Sequence, residues 1–288
     1  MSKAQTAARR AQAGSRASRL VVLAILVLGA IAFLMPFYVS VAMSLKTPAE
    51  IATTSMWSWP KQPTLENFRL LLTNPIISFP LLLKNTAKIT SFATFGVLFS
   101  SSVVAYGFAR MQFAGRDRLF LILLATMMLP GIVTMIPSYV VYAKMHWVDT
   151  FLPLTVPAFF GGGAFNIFLL RQFYMGIPRE LDEAAFLDGA SHWTIYRRIT
   201  LPLSGPALAT VGLFTFMGAW RDFTGPLMML NDPDKQTLEV GLRSYQAMNG
   251  EKWNMLMAGS VMVSIPLIIL FFIGQRWFVK GIVLTGGK

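Results

Sequence analysis

Few side chains in this sequence are of a type that could make or break bonds. There is no Cys, so no thiol nucleophile, thiolate metal site or disulfide framework is available. The two histidines, His146 and His192, stand apart, and neither belongs to an H-E-x-x-H pair that would hold zinc. No G-x-S-x-G elbow presents a serine nucleophile. No G-x-x-x-x-G-K-[ST] loop is present to cradle the phosphates of ATP. We therefore assign no catalytic residue, no metal site and no cofactor to the chain itself. What remains is recognition chemistry, at three places. Glu183-Ala184-Ala185-Phe186-Leu187-Asp188-Gly189-Ala190, running on to Ile199-Thr200-Leu201-Pro202, puts an acid at the head of a short helix whose small residues let another surface come close. Trp220-Arg221-Asp222-Phe223 sets ionisable groups inside an apolar stretch. Such groups face protein or water and often mark a pathway, though charges near span ends also serve as plain anchors. Asn249-Gly250 is a tight-turn pair in a polar segment, able to protrude.

The elements that must hold these residues follow from local chemistry. Pro178 suits a first helical turn, where its missing N–H costs nothing. Residues 179–187 are good helix formers. Gly189 can take φ > 0 and turn the chain. A second short helix is expected over 192–199, ending before Leu201-Pro202. The loop reads as helix, glycine turn, helix, proline; an ordinary amphipathic surface loop would share that outline.

Around it the chain is too apolar for a soluble domain. Of 288 residues, 55% are hydrophobic and 13% charged, where a soluble protein carries about 25% charge. Six stretches are long enough to cross a bilayer: 20–45, 85–109, 119–143, 151–170, 205–230 and 255–278. The first exceeds a signal-peptide core, so it is read as an uncleaved span. Helix breakers interrupt several: Pro130 and Pro137, then Pro153, Pro157 and Gly161-Gly162-Gly163, then Pro266. Residues 1–19 form a basic tail without an acid, expected to be disordered. Residues 46–82 form a loop with interfacial Trp57 and Trp59 and a short helix near 65–72. Ser100, Ser101 and Ser102 suit close helix packing.

Loop charges give an orientation. With the amino end placed in the cytoplasm, fifteen Lys and Arg fall inside and seven outside, the bias of the positive-inside rule. The net charge of +12 is therefore topology, with contact to anionic lipid, and not a nucleic-acid surface. No inverted repeat is evident, which counts against a secondary transporter.

The Glu183 stretch resembles the EAA loop of the membrane subunits of ATP-binding-cassette (ABC) importers. Glu183-Ala184-Ala185, Gly189, Ile199 and Leu201-Pro202 match every element of E-A-A, three residues, G, nine residues, I, one residue, L-P. Tyr106-Gly107-Phe108-Ala109-Arg110, Phe168-Leu169-Leu170-Arg171-Gln172-Phe173 and Pro63-Thr64-Leu65-Glu66-Asn67-Phe68 are similar to the carbohydrate branch, as is Thr237-Leu238-Glu239-Val240-Gly241-Leu242. The likeness covers nearly all of the chain after residue 20, and comes nearest the shorter six-span permease of the maltose-type pair. Trp220-Arg221-Asp222-Phe223 departs from that family's Trp-Asn-Asp-Phe at Arg221.

The resemblance implies an all-α integral membrane protein of the type I ABC importer permease fold, with six transmembrane helices and both ends cytoplasmic. It implies a cytoplasmic tail over 1–19, a first helix over 20–45, an extracytoplasmic loop over 46–82, and a core permease domain over 83–288 with its coupling loop at 177–203. It implies a second homologous permease, two ATPase subunits that hold ATP and Mg, and an extracytoplasmic sugar-binding protein, in a bacterial or archaeal inner membrane. Glu183, Ala184, Ala185, Asp188, Gly189, Ala190, Ile199, Leu201 and Pro202 would couple to an ATPase. Trp220, Arg221 and Asp222 would lie on the translocation path, and Asn249 and Gly250 would meet the binding protein. Another solute, such as glycerol phosphate or a peptide, fits the same architecture.

Overall fold

Uninterrupted apolar sequence leaves the backbone one economical way to satisfy its own N–H and C=O groups, the helix. Every regular element among the described residues is helical. The structure, a computed structural model, describes the backbone of residues 3–74, 78–249 and 252–285, and the side chains of 18–74, 78–246 and 252–275. In chain order the α-helices are α1 (Lys3–Ser44), α2 (Pro48–Thr53), α3 (Glu66–Leu72), α4 (Phe79–Arg110), α5 (Arg116–Thr126), α6 (Gly131–Lys144), α7 (Leu152–Thr155), α8 (Ala164–Met175), α9 (Glu180–Leu187), α10 (His192–Ile195), α11 (Leu201–Leu203), α12 (Gly205–Trp220), α13 (Thr224–Met229), α14 (Leu238–Asn249) and α15 (Trp253–Thr285). Among the described residues, four stretches are long and apolar enough to cross a membrane: Ser18–Ser44, Phe79–Arg110, Leu152–Met175 and Trp253–Gln275. Two further pairs qualify only if each bent pair is one span, α5 with α6 at 96° and the helices from His192 to Trp220 at 77°.

Two expectations are corrected, and the interruption expected at Pro130 is a full break. The basic tail expected to be disordered continues α1 back to Lys3, its Ala, Arg and Gln being good helix formers. The stretch 119–143 is broken, because Pro130 disfavours helical backbone at Leu129 and restarts the chain at φ −61°, ψ 133°. The stretch 205–230 is not one helix. It ends at Trp220; Asp222 Oδ1 then accepts the Gly225 N–H at 3.0 Å in the turn that leads into α13, whose Pro226 has no N–H with which to continue α12.

The chain divides into two units. The smaller, Met1–Leu71 with Asn249–Met262, is tied by polar groups. Lys46 is buried at 1% exposure, and its ammonium donates to Thr54 Oγ1 (3.2 Å), the Ser55 carbonyl (2.7 Å) and Ser58 Oγ (3.0 Å). Asn67 Nδ2 donates to the carbonyls of Ser44 and Lys46, and Asn254 Nδ2 donates to Asn67 Oδ1.

The larger unit, Leu72–Met248 with Val263–Lys288, is built around α4, which packs on α7, α8, α12 and the 3-10 turn Val156–Phe159. Small residues make that approach possible. Ser100 Oγ donates to the Ala158 carbonyl at 2.8 Å. Gly162 sits at φ +61°, where a Cβ would meet Ser101 Cβ at 2.7 Å and the Val97 carbonyl oxygen at 2.8 Å, so no side chain fits. Below this contact lies a core of Ala105, Tyr106, Ala109, Ile167, Leu170, Tyr174, Ile177, Ile195, Tyr196, Ala207 and Val211.

Candidate functional site at the Glu183 loop

The loop over 177–203 stands on that core. α8 closes at Gly176, and Ile177 is buried at 8% exposure. α9 opens with Glu180, Asp182 and Glu183, acids in the turn where a helix presents its positive dipole end. The 3.6-residue period then sorts its side chains. Asp182 and Ala185 face inward, and Ala185 packs on the core. Glu183, Ala184 and Leu187 face out, Leu187 at 91% exposure.

The turn after α9 is a Schellman closure. The Gly189 N–H reaches the Phe186 carbonyl (3.0 Å), and the Ala190 N–H reaches back to Ala185 (2.9 Å). Gly189 takes φ +79°, as that geometry requires. Ala190 and Ala185 both rest on the core, supplying the apolar contact that accompanies this closure. Asp188 is the exposed C-cap residue. Ser191 then caps α10, accepting the Thr194 N–H at 3.3 Å.

The second helix does not stop before Leu201-Pro202 as expected. Tyr196–Thr200 forms a π turn, with the Leu201 N–H bonded to the Tyr196 carbonyl, and the helix continues through α11. Pro202 would clash with a carbonyl four residues back in regular α geometry, and the wider turn relieves that. Ile199 and Leu201 pack on the core, and Pro202 is exposed.

Two groups of residues hold the loop in place by ties that sequence reasoning did not give. Ser102 bridges the hydroxyls of Tyr174 (2.7 Å) and Tyr196 (2.9 Å). Arg110, the last residue of α4, places one guanidinium nitrogen 3.2 Å from Asp182 Oδ2 and donates from another to the Ile177 carbonyl at 2.7 Å. The two side chains are only 3% and 13% exposed. Removing one partner of a pair so buried leaves a charge uncompensated, at about 3–5 kcal/mol. The available signal was slight: an acid beside Glu183 and an arginine closing an apolar stretch.

The second predicted group lies at the far end of α12, about 24 Å from its start by helix rise. Trp220 is buried, and its indole N–H donates to the Val263 carbonyl at 3.1 Å. Asp222 is occupied by the Gly225 N–H, while Arg221 is exposed. The carboxyl of Glu239 on α14 is pushed above its ordinary range by burial, with Arg221 pulling it back. Gly250 lies outside the described residues, as does the side chain of Asn249, whose backbone ends α14. Also on this side of the unit, Asp149 at φ +63° accepts the Asn231 and Asp232 N–H groups (3.0 and 2.9 Å) and pairs with Lys235 at 3.0 Å. Among the described residues no cluster of three or more His, Asp or Glu could hold a metal.

Apolar helices of membrane-crossing length, small-residue packing and a polar helix–turn–helix standing on their core define a multi-pass, all-helical membrane protein. Residues 96–283 match the family described as binding-protein-dependent transport system inner membrane component, and the chain belongs to that family. It is 34% identical over 253 residues to the putative ABC transporter permease protein ORF2 of Caldicellulosiruptor sp., covering 88% of this chain and 91% of that one. It is 35% identical to the trehalose/maltose transport system permease protein MalG of Thermococcus litoralis, over 78% and 80% of the two chains. With the maltose/maltodextrin permease MalG of Escherichia coli K12 the figures are 31% identity over 96% and 98%. Its fold is similar to that of a solved bacterial ABC transporter involved in import of the acidic polysaccharide alginate, with a TM-score of 0.79 at 24% identity over 92% and 98% of the chains.

Proposed function

We propose that this chain is the permease subunit of an ATP-driven importer that receives a sugar or oligosaccharide from an extracytoplasmic binding protein. It crosses the membrane six times with both ends in the cytoplasm. Residues 1–19 are the cytoplasmic tail, 20–45 the first crossing, 46–82 the outer loop, and 83–288 the core shared with a second homologous permease. ATP and Mg reside on two ATPase subunits, one of which seats the loop 177–203. Relatives at 31–35% identity named for arabinooligosaccharide, trehalose/maltose and maltodextrin transport support a carbohydrate cargo. The charge bias of the loops supports the orientation.

The observation that carries this reading is the outward face of α9. Glu183, Ala184 and Leu187 are exposed on a helix whose other face is committed to the core. An acid among small and apolar side chains suits a cleft holding a basic group, through a charge-assisted bond. ATP binding that closes the ATPase pair would draw the loops together and open the cavity outward. Arg221, with Trp220 and Asp222 shaping its position, lies on the translocation path, and the 249–250 turn faces the binding protein.

The test is reconstitution of the whole complex in proteoliposomes. Uptake of maltose, trehalose and arabinooligosaccharides should require ATP and ignore ionophores. Glu183→Ala should keep insertion and assembly but weaken uptake and binding-protein-stimulated hydrolysis together. Wild-type values for both would remove Glu183 from the coupling role, and uptake driven by an ion gradient would overturn the reading.

A further inference from the structure

We propose that α4 is a connecting rod pinned at both ends, joining the Glu183 loop to the outer segment that leads into α14. The proposal rests on the coupling role given to the loop above. At one end, α9 has eight residues, too few to hold a direction by itself. Its inward side offers the core only a methyl from Ala185 and the carboxylate of Asp182. The directional contact is therefore Arg110. Its planar fork spans two points of the loop, the Asp182 carboxylate and the Ile177 carbonyl, fixing both the entry to α9 and its first turn. Arg110 Nε and Asp182 Oδ1 make no hydrogen bond among the described residues, so the tie to α9 is the single approach of the guanidinium to Asp182 Oδ2.

The other end is pinned as specifically. Asn85 Nδ2 donates to the carbonyls of Asp234 (2.8 Å) and Gln236 (3.0 Å). The Leu238 N–H, which starts α14, donates to Thr86 Oγ1 at 2.8 Å. Asn85 and Thr86 are buried at 6% and 2% exposure. α4 is one unbroken helix of 32 residues with no proline after its first turn, and from Asn85 to Arg110 it spans about 37 Å. A tilt or shift imposed on Arg110 by α9 must therefore appear at residues 234–238, whereas α5–α6 and α12–α13 each contain a break where motion can be absorbed. Arg110 and Asp182, with Asn85 and Thr86, are positioning residues: they act through the segments they tie to α4.

The chain has no Cys, so Asp234→Cys gives a single exposed label site for a membrane-impermeant fluorophore. The assembled complex, in nanodiscs, is titrated with ATP plus vanadate, and no cargo is needed. In the otherwise unchanged complex, ATP should shift the label's emission. Asp182→Asn, read per complex that retains both ATPase subunits, should cut that shift about fivefold or more, the low end of ordinary coupling between sites. Thr86→Val should do the same from the other end, and the double variant should be no worse than either alone, because both cut one rod. If Asp182→Asn fails to assemble, Arg110→Lys keeps the charge, loses the fork, and carries the same expectation. A full-sized shift in these variants, or additive losses in the double, overturns the rod. A parent complex whose label ignores ATP, or that holds no ATPase, overturns the reading of the loop and the rod with it.

Discussion

Replacing Gly189 tests whether the angle of the loop matters, because the structure isolates the backbone contribution. A Cβ built at Gly189 meets nothing within 4 Å, so any penalty comes from φ +79° and none from packing. An L residue held there costs about 1–2 kcal/mol. The alternative is to leave the left-handed region and give up the Gly189 and Ala190 cap bonds, at roughly 0.5–1.5 kcal/mol each. For Gly189→Ala the two costs are comparable, and much of the native turn survives. For Gly189→Val the β-branched residue is a genuine outlier at positive φ, so the turn opens. Asn tolerates this region best of the three. The expected order of ATPase retained on co-purification is Gly, Asn, Ala, Val, and Val should lose about tenfold in docked complex if the difference reaches 1.4 kcal/mol. ATP-driven uptake should follow the same order. If the Val variant holds ATPase at normal stoichiometry, or Asn and Val behave alike, the angle set by Gly189 is not what positions the loop.

Two further predictions use charges on the other side of the larger unit. Burial favours the protonated form of Glu239 in the folded state, so its contribution is fully present below the ordinary 4.5 and is lost as pH rises through the raised folded value; Arg221 limits that loss. Arg221→Asn should therefore lower the melting temperature more at pH 7 than at pH 4, and should alter cargo selectivity with the complex still assembled; unchanged selectivity would make Arg221 an anchor only. Asp149 is held below its ordinary 3.8, first by the Asp232 N–H and then by Lys235, so its contribution is present above that value and fades as pH falls through the depressed one. Asp149→Asn, which keeps a residue tolerant of φ +63°, should expose residues 231–236 to protease at pH 7, whereas the parent should yield there only in strong acid; equal cleavage at pH 7 would count against Asp149 as the tie of that segment.

The Glu183 loop was legible because its signals are local. A proline, a run of helix formers, a glycine and a serine cap act within a few residues, and the structure places each where short-range chemistry puts it. The spans were legible as lengths of apolar sequence but not as straight helices. The break at Pro130 was marked by the proline itself, but the break at Asp222 depends on a local hydrogen bond outcompeting the ladder, and hydropathy does not see that competition. The π turn before Pro202 was invisible for the same reason: the motif predicts a proline stop, and the wider turn lets the helix run through it.

Arg110, Asn85 and Thr86 show why the rest was hidden. Read in sequence, Arg110 is one more positive charge on the cytoplasmic side of the count, and Asn85 and Thr86 are minor polar residues near the start of a span. Their partners lie 72, 149 and 152 residues away for Arg110–Asp182, Asn85–Asp234 and Thr86–Leu238 respectively, and no periodicity encodes such separations. In a membrane, moreover, apolar pattern sorts helix faces poorly, since lipid and protein core are alike to a leucine. Specific alignment must then come from the few groups that cannot face lipid unbonded: hydroxyls and amides inside the bundle, and ionised groups at its ends. That is where α4 carries them, Asn85 and Thr86 near one end and Arg110 at the other, with the small residues that permit close packing between.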